Sequence, residues 1–462
     1  MISMTLAEVA DAVGGSLSDV ADPQARVTGA VVVDSRQVEP GGLFVAIAGE
    51  RVDGHEFAAA ACAAGAVAVV AARPVGVPAI VVDDQVAALA ALAQAVAQRL
   101  PATAIVGITG SAGKTGTKDV LAQLLSAVGP TVAPPESFNN EIGFPLTVLR
   151  ADADTSCLVL EMGAKGVGHV AQLCAIAPPR VGVVLNVGTA HIGEFGGQQA
   201  IAAAKGELVE ALPAGGLAVL NADDELVSAM AARTNARVVR FGRSADADVR
   251  ADDVTLDQAA RPSFTLVTSE GTTLVRLRLH GEHQVYAALA AAAVGLELGL
   301  GTAEVAARLA AAERVSRHRM EVTERADGVT IVNDAYNANP PAMLAALRSL
   351  VAMAGQRRKV AVLGEMLELG DAAPEEHRNV GTAAAELGAD LVIAVGAGAA
   401  AVAEGARTVP GWHGRAVEVN DGDTAEKLLD AELRRGDVVI FKSSRDAGLR
   451  WIGDRLATRS SS

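Results

Sequence analysis

The chain has 462 residues, of which 50% are hydrophobic and only 3% aromatic, and its formal net charge is −15 at pH 7. This length predicts about two to four domains, with cores built mainly from Ala, Val and Leu. The acidic balance excludes a broad attraction to nucleic acid or anionic lipid, so an anionic ligand needs a local cationic cleft. Because no signal peptide and no apolar run of membrane-spanning length are visible, we expect a cytoplasmic protein without a membrane partner. The three cysteines, Cys62, Cys157 and Cys174, lack metal-ligand spacing and are expected to be free, buried thiols.

The first 98 residues are predicted to form a small α/β unit. Apolar runs of strand length alternate there with helical patterns, and Pro101 follows the last helix at a boundary. The predicted strands are 31–33, 43–47, 66–71 and 79–82, and the predicted helices are 57–65 and 86–100.

The second unit, residues 99–313, is predicted to contain a parallel sheet covered on both faces. Its strands are near-continuous apolar runs separated by helical segments, which is typical of that arrangement. An alternating stretch at 264–279 predicts an antiparallel hairpin around Glu270 and Gly271, and a helix over 284–298 closes the unit. The predicted parallel strands are 104–108, 158–161, 181–186, 217–221 and 238–241.

Residues 314–462 are predicted to form a third unit, a βαβ series of Rossmann-like shape. Its strands are again apolar and are separated by helical segments. The predicted strands are 330–333, 359–363, 391–395 and 437–442.

A glycine-rich turn at 107–115, with the sequence GITGSAGKT, lies between a strand-like run and a helical pattern over 118–128. Strand, glycine turn and helix together form the context of a phosphate-binding loop, because main-chain N–H groups and the helix N-terminus converge on the anion. Lys114 can reach the β- and γ-phosphates, and the Thr115 hydroxyl can ligate Mg²⁺. The spacing departs from G-x-x-x-x-G-K-T, since the first position of that pattern falls on Ile108.

Further polar residues follow predicted strands, where parallel sheets bind ligands. Glu161 is a candidate metal ligand or water-positioning acid, or else a helix-capping or surface residue. His191 is a candidate metal ligand or a structural histidine, whereas Lys205 has the spacing of an ordinary solvated helix lysine. The loop 334–340 is a candidate site or a turn stabilised by Asn, and the cations and hydroxyls of 442–445 could hold a carboxylate or phosphate.

Over almost its whole length the chain resembles the Mur ligase family. The resemblance rests on stretches in all three predicted units: DSR at 34–36, PGGLFVA at 40–46, GERVDGHEF at 49–57, GITGSAGKTGTK at 107–118, FNNEIGFPLT at 138–147, the segments around Glu161, His191 and Lys205, YNANP at 336–340 and GEMLELG at 364–370. The last two stretches resemble the member of the family that adds a dipeptide rather than a single amino acid.

The resemblance implies an α/β protein of three domains: a UDP-sugar-binding domain over 1–98, a central ATP-binding domain over 99–313 and a C-terminal Rossmann-like ligase domain over 314–462. It implies an ADP-forming peptide ligase of peptidoglycan precursor synthesis, in which D-alanyl-D-alanine is joined to UDP-N-acetylmuramoyl-tripeptide through an acyl phosphate. ATP and Mg²⁺ are the implied cofactors. We expect a monomer with no nucleic-acid partner.

The resemblance also implies roles for individual residues. Lys114, Glu161, His191 and Lys205 are the implied catalytic residues. Mg²⁺ is expected to be held by Thr115, Glu161, His191 and Lys205, the last as an N-carbamate, because carbamylation converts a cation into an anionic ligand. The implied ATP-binding residues are Gly110, Ser111, Ala112, Gly113, Lys114, Thr115, Gly116, Arg319 and Asp334. The implied substrate-binding residues are Ser35, Arg36, Asn139, Asn140, Tyr336, Asn337 and Arg445.

Two other functions remain open from the sequence alone. A folylpolyglutamate synthase-like ligase would use the same acyl-phosphate chemistry, but the segments 34–36 and 53–55 then have no evident purpose without a UDP-sugar. A P-loop switch ATPase would turn over nucleotide without either peptide substrate, but the chain has no Asn-Lys-x-Asp guanine motif.

Overall fold

The structure is a computed structural model that describes residues 1–49, 52–188 and 197–459. Its strands form three large sheets in chain order and one small strand pair near the N-terminus. Helices cover the large sheets, as the apolar strand runs predict. Across the described ranges, no helix combines the length and apolar character needed to cross a membrane.

The helices of the described residues are numbered here in chain order. They are α1 Leu6–Val13, α2 Ala58–Ala63, α3 Gln85–Gln98, α4 Lys114–Leu125, α5 Gly143–Val148, α6 His169–Ile176, α7 Gln198–Glu210, α8 Glu225–Ser228, α9 Gln284–Glu297, α10 Thr302–Ala311, α11 Pro340–Ala354, α12 Ala373–Glu386, α13 Ala400–Arg407, α14 Gly422–Glu432 and α15 Leu449–Thr458.

The strands are numbered in the same way. They are β1 Met4–Thr5, β2 Ser16–Ser18, β3 Arg26–Val27, β4 Val31–Val32, β5 Leu43–Val45, β6 Ala68–Ala71, β7 Ala79–Val81, β8 Ala104–Thr109, β9 Thr131–Val132, β10 Cys157–Glu161, β11 Val181–Val184, β12 Leu217–Asn221, β13 Arg237–Gly242, β14 Val249–Leu256, β15 Pro262–Thr268, β16 Gly271–Arg276, β17 Glu321–Glu324, β18 Thr330–Asn333, β19 Lys359–Leu363, β20 Leu391–Val395, β21 Arg415–Val419 and β22 Val438–Lys442.

The central sheet has nine strands in the order β16-β15-β14-β13-β12-β11-β8-β10-β9. The strands from β9 to β14 are parallel, and β14, β15 and β16 pair antiparallel. Alternate side chains of β10 enter different cores, since Val159 packs with helices α4 and α9 and Leu158 with α6 and α7. The carboxyl ends of β8, β10 and β11 therefore lie together at one edge of a sheet covered on both faces.

The N-terminal sheet has the order β2-β7-β6-β5-β4, with β4 to β7 parallel and β2 antiparallel. Helix α3 packs against both this sheet and the central unit, because Leu89 and Leu92 share a core with Phe144 and Val148. The N-terminal unit is thus attached to one face of the central unit through continuous apolar contacts.

The C-terminal sheet has the order β17-β18-β22-β19-β20-β21, parallel except for β17. Two separate cores lie on its two faces. The loops that follow β18, β19 and β22 lie side by side: Gly364 N donates to Lys442 O, and Ser444 N donates to Glu365 O.

Seven of the described strands escaped the sequence analysis, and helix α4 begins four residues earlier than predicted. The missed strands are β1, β2, β3, β9, β14, β17 and β21. Strands β1, β2, β3 and β9 are only two or three residues long, and β17 and β21 form the two edges of the C-terminal sheet. Strand β14 has polar or charged residues at four of its eight positions. These segments lack the continuous apolar pattern of central strands because only part of each faces a core.

Candidate active site

The turn between β8 and α4 has the shape of a phosphate-binding loop. Gly113 has φ +84° and lies at the N-cap of α4, a conformation that disfavours a side chain. A Cβ on Gly110 would lie 2.9 Å from Leu185 Cβ, so only glycine fits there. The helix therefore directs its free N–H groups and partial positive charge to the edge where β8, β10 and β11 end.

Asn186, which follows β11, fixes this loop from the neighbouring strand. Its Oδ1 accepts a hydrogen bond from Ala112 N at 2.9 Å, and its Nδ2 donates to Ala112 O at 3.0 Å. Ser111 N donates to Asn186 O, and Gly188 N donates to Ser111 Oγ. The loop is thus held at two successive residues, Ser111 and Ala112.

The Lys114 ammonium lies within the loop, where Nζ donates to Gly110 O at 2.7 Å. Burial lowers the pKa of Lys114, and the Arg319 cation lowers it further, while the nearby Glu161 carboxylate opposes the shift. An anion entering the loop would meet this cation together with Arg319.

Thr115 and Glu161 are in direct contact, as the expected Mg²⁺ site requires. The Thr115 hydroxyl donates to Glu161 Oε2 at 3.0 Å, and Asn139 Nδ2 donates to Glu161 Oε1 at 2.7 Å. Ser137 Oγ lies 2.7 Å from Thr115 Oγ1. Hydroxyl and carboxylate oxygens of this kind suit Mg²⁺, so this donor set fits the ion.

Lys205 is buried rather than solvated, with 4% of its surface exposed in helix α7. The expectation from its spacing alone was therefore wrong. Burial lowers the pKa of Lys205 well below the ordinary lysine value, and the neighbouring Lys114 cation lowers it further. Its neutral amine is the form that reacts with carbon dioxide, so the pKa suits a carbamate. His191 lies outside the described residues.

Arg319 connects the phosphate loop with the C-terminal unit. Its guanidinium donates to Thr115 Oγ1 at 3.3 Å and to Ser137 Oγ at 3.1 Å. The same guanidinium lies 4.4 Å from the centre of the Tyr336 ring, and that of Arg445 lies 5.5 Å from it. Three predicted residues of distant sequence position are thus brought together.

Asp334 holds the backbone beside Arg319. Its Oδ1 accepts a hydrogen bond from Met320 N at 2.9 Å, and its Oδ2 accepts one from Lys442 Nζ at 2.7 Å. Burial lowers the pKa of Lys442, and the Asp334 carboxylate opposes the shift. A cavity of about 110 Å³ lies beside Arg319 and Met320, and its lining includes Gly116 and Gln284.

Ser35 and Arg36 lie in the N-terminal unit, in a short 3₁₀ helix after β4. The Arg36 side chain is 87% exposed and forms a bidentate ion pair with Asp34. Hydrogen bonds from Arg36 lower the pKa of Asp34 to about 2. Within the described ranges, the Arg36 side chain bonds to Asp34 and not to the residues around the phosphate loop.

Segment 53–55 makes structural contacts that the sequence analysis did not predict. The buried His55 ring lies 2.5 Å from Asp53 Oδ1 through Nδ1, and its Nε2 accepts from Ala72 N at 2.9 Å. Arg73 donates to the other Asp53 oxygen. Because these contacts join the segment to the end of β6, its presence alone does not discriminate a UDP-sugar enzyme from a folylpolyglutamate synthase-like ligase.

Two further predicted residues are placed less centrally. Asn140 Oδ1 accepts from Gly143 N at 2.9 Å at the start of α5, which is a capping contact. Asn337 is exposed beside Tyr336. Neither contacts the Thr115–Glu161 pair in the described part of the chain.

Comparisons with known proteins identify the family. Family models match three consecutive segments: Mur ligase family, catalytic domain, at 29–107; Mur ligase middle domain at 108–295; and Mur ligase, glutamate ligase domain, at 318–445. A UDP-N-acetylmuramoyl-tripeptide–D-alanyl-D-alanine ligase from Mycobacterium tuberculosis is 51% identical over 99% of this chain and 98% of its own. The chain belongs to the Mur ligase family.

Other Mur ligases are similar over nearly the same length. The corresponding ligase from Escherichia coli is 36% identical over 97% of each chain. A crystal structure of MurF from Acinetobacter baumannii has a TM-score of 0.88 and 31% identity, covering 99% of both chains. A MurF ligase from Thermotoga maritima in complex with ADP has a TM-score of 0.77 and 30% identity, covering 93% of this chain and 97% of that one.

Sequence reasoning missed Ser137 and Asn186 as site residues. Asn186 ends an apolar run beside the glycine turn, a signal that could have identified it. Ser137 only precedes a polar loop, and its contact with Arg319 joins residues 182 positions apart.

Proposed function

We propose that this chain is an ATP-dependent amide ligase that joins D-alanyl-D-alanine to UDP-N-acetylmuramoyl-tripeptide in peptidoglycan precursor synthesis. The observation that carries the proposal is the cluster of Lys114, Thr115, Glu161 and Arg319 at the phosphate loop. Relatives bearing that printed name and similar over nearly the whole chain support the assignment of substrates.

In the first step, an oxygen of the tripeptide's terminal carboxylate attacks the γ-phosphorus of ATP. The bond from that phosphorus to the bridging oxygen breaks, which gives an acyl phosphate and ADP. Carboxylate and triphosphate repel each other, so Lys114 and Arg319 supply the charge that allows them to approach. The loop N–H groups bind the phosphates, and Thr109 Oγ1, which donates to Met162 O at 2.9 Å, ties the ends of β8 and β10 together.

Mg²⁺ would be held by Thr115 and Glu161, together with His191 and a carbamylated Lys205. When bound, it would neutralise charge that develops on the phosphoryl oxygens. Asn139, which already donates to one Glu161 oxygen, would orient the carboxylate for this task.

In the second step, the dipeptide amine attacks the acyl carbon, the C–O bond to phosphate breaks, and phosphate leaves. The amine proton passes to the departing phosphate, so the product is a neutral amide. We propose that Tyr336, Asn337 and Arg445 bind the dipeptide, and that the C-terminal unit excludes water, which would otherwise hydrolyse the acyl phosphate. Arg445 can bind the dipeptide's carboxylate bidentately.

The remaining assignments complete the proposal. Residues 1–98 would bind the UDP moiety through Ser35 and Arg36, residues 99–313 ATP, and residues 314–462 the incoming amine. Asn139 and Asn140 would face the muramoyl peptide. Asp334 and the cavity beside Gly116 would accommodate the adenosine end of ATP. The enzyme would act as a monomer in the cytoplasm.

The decisive experiment measures ADP formation with each substrate omitted in turn. We expect sustained ADP formation, over many turnovers, only when both UDP-N-acetylmuramoyl-tripeptide and D-alanyl-D-alanine are present, with one amide product per ADP. Turnover without either substrate would instead indicate a switch ATPase. Turnover with a pteroylglutamate and glutamate would indicate the folylpolyglutamate synthase-like alternative.

The carbamate is tested at Lys205. Lys205→Ala should lose activity and partly regain it with added formate or acetate, because a small carboxylate can replace the carbamate oxygens. Lys165→Ala, which changes an exposed lysine outside the cluster, is the matched control and should not respond to formate. Full activity of Lys205→Ala without additive would contradict the assignment.

A further inference from the structure

A connector, defined here as residues 312–320, joins α10 of the central unit to β17 of the C-terminal unit. It carries Arg319, which contacts Thr115 and Ser137. Any movement of the connector relative to the phosphate loop would therefore move this guanidinium. The question is what fixes the connector.

Helix α4, which begins at the phosphate loop, holds the connector through a buried ion pair. The Lys118 side chain is 1% exposed, and its Nζ lies 2.5 Å from Asp119 Oδ1. Lys118 Nζ also donates to Ser316 Oγ at 3.3 Å and to Pro134 O at 2.9 Å. The other Asp119 oxygen accepts from Ser316 N at 2.9 Å. Both members of the pair thus bind Ser316, three residues before Arg319.

A second contact holds the start of the connector on the same helix. Gln123 Nε2 donates to Glu313 O at 2.8 Å, and Glu313 N donates to Gln123 Oε1 at 2.9 Å. The side-chain amide of Gln123 therefore pairs with both the N–H and the C=O of Glu313. Helix α4 follows the connector over about one turn of its own length.

The backbone around Arg319 is closely defined. His318 has φ +56° and Met320 has φ +48°, so left-handed residues flank Arg319 on both sides. Such residues cost free energy and persist only where surrounding contacts fix them. Here His318 Nε2 lies 3.0 Å from Asp454 Oδ2, and Met320 N donates to Asp334.

We propose that Lys118 and Asp119 are positioning residues that set the Arg319 guanidinium against the phosphate loop. The side-chain hydrogen bonds of the pair lead to Ser316 and Pro134, whereas Arg319 bonds to Thr115 and Ser137. The pair therefore acts through Ser316 and the connector. This inference rests on the proposed function, because Arg319 matters to catalysis only if a phosphoryl group is transferred at Thr115.

Stability alone does not explain a buried ion pair at this position. Taking an ammonium and a carboxylate out of water is costly, and apolar side chains of similar volume often stabilise a core as well or better. A charged pair with directional bonds to one residue does, however, fix the orientation of that residue, and the bonds to Ser316 are of this kind.

The test is a double-mutant cycle with Arg319. The clamp variant Lys118→Met/Asp119→Leu removes both charges together and leaves no unpaired buried ion. We expect it to lower kcat by about 10- to 100-fold, the cost of misplacing a group at the reacting centre, with a change in KM for ATP of less than about threefold. In an Arg319→Ala background, the same two changes should lower kcat by less than about threefold, because the group they position is absent.

Arg358→Met/Asp437→Leu is the matched control. It removes both charges of the largely buried Arg358–Asp437 pair, which lies in the C-terminal unit and holds no residue at the phosphate loop. Its effect on kcat should be small and equal in both backgrounds. If the clamp variant fails to fold, as far-UV circular dichroism would show, Lys118→Gln/Asp119→Asn takes its place in the cycle, because it again removes both charges and keeps polar side chains of similar size.

The possible results separate the two claims. The positioning role would be overturned if the clamp variant lowered kcat by the same factor with and without Arg319. It would also be overturned if the clamp variant kept the wild-type kcat. A wild-type chain that forms no substrate-dependent ADP would overturn the proposed function itself. Loss of kcat that disappears in the Arg319→Ala background supports both.

Discussion

A glycine next to Lys205 allows an arginine to lie against helix α7, and its replacement by alanine tests how that helix is held. A Cβ at Gly206 would overlap the Arg233 guanidinium. That guanidinium donates to Ala202 O at 3.1 Å and to Ala203 O at 2.9 Å, and it pairs with Glu210. Gly206→Ala must therefore expel Arg233 from the surface of α7.

The expected magnitude follows from two opposing contributions. Alanine in place of glycine stabilises a helix interior by about 1 kcal/mol. Loss of three charge-assisted hydrogen bonds, from a side chain that is 30% exposed, costs about 2–3 kcal/mol in all. The net destabilisation of about 1–2 kcal/mol lowers Tm by about 2–8 °C for a domain of this size.

The assay is thermal unfolding, followed by circular dichroism, of wild type, Gly206→Ala, Arg233→Ala and the double variant. In the Arg233→Ala background nothing occupies the space, so Gly206→Ala should raise Tm rather than lower it. The same sign of change in both backgrounds would refute the reasoning, because the helix propensity gain is common to both.

Three other outcomes are expected. Lys114→Met should abolish ADP formation with an unchanged far-UV spectrum, and activity within about tenfold of wild type would contradict its phosphate role. Because the pKa of Lys205 is lowered on folding, the unfolded chain binds more protons at pH values between the lowered pKa and the ordinary lysine pKa. Over that window the stability of wild type rises with pH by up to about 1.4 kcal/mol per pH unit. Lys205→Met should flatten the dependence of Tm on pH in carbon dioxide-free buffer, and parallel curves would exclude the shift. Tyr336→Phe should keep activity and Tyr336→Leu should lose it, since the ring face rather than the hydroxyl contacts Arg319; equal kcat for the two variants would argue against the stack.

The parts of the fold that could be predicted are those encoded locally. The strand β8, the glycine turn and helix α4 follow from a continuous run of the chain, because their shape depends on glycine conformations and apolar periodicity. Edge strand β17 could not be recognised, since its pairing with β18 rather than its own composition makes it a strand.

The candidate site divides in the same way. Thr115 lies in the first turn of the helix that follows β8, and Glu161 ends β10, the parallel neighbour of β8. Their proximity therefore follows from topology once the sheet is predicted. The hydrogen bond from Lys118 to Ser316 joins residues 198 positions apart across two units, and no local sequence pattern predicts it. The burial of Lys205 likewise depends on how α7 packs. The spacing of Lys205 in the sequence instead predicted a solvated side chain.

The paired hydrogen bonds between the Asn186 amide and Ala112 have a thermodynamic consequence for ligand binding. A side-chain amide that meets both the N–H and the C=O of one residue imitates a neighbouring strand, so the turn is already ordered before nucleotide arrives. Association then loses little conformational entropy in the protein, and more of the interaction energy remains as affinity.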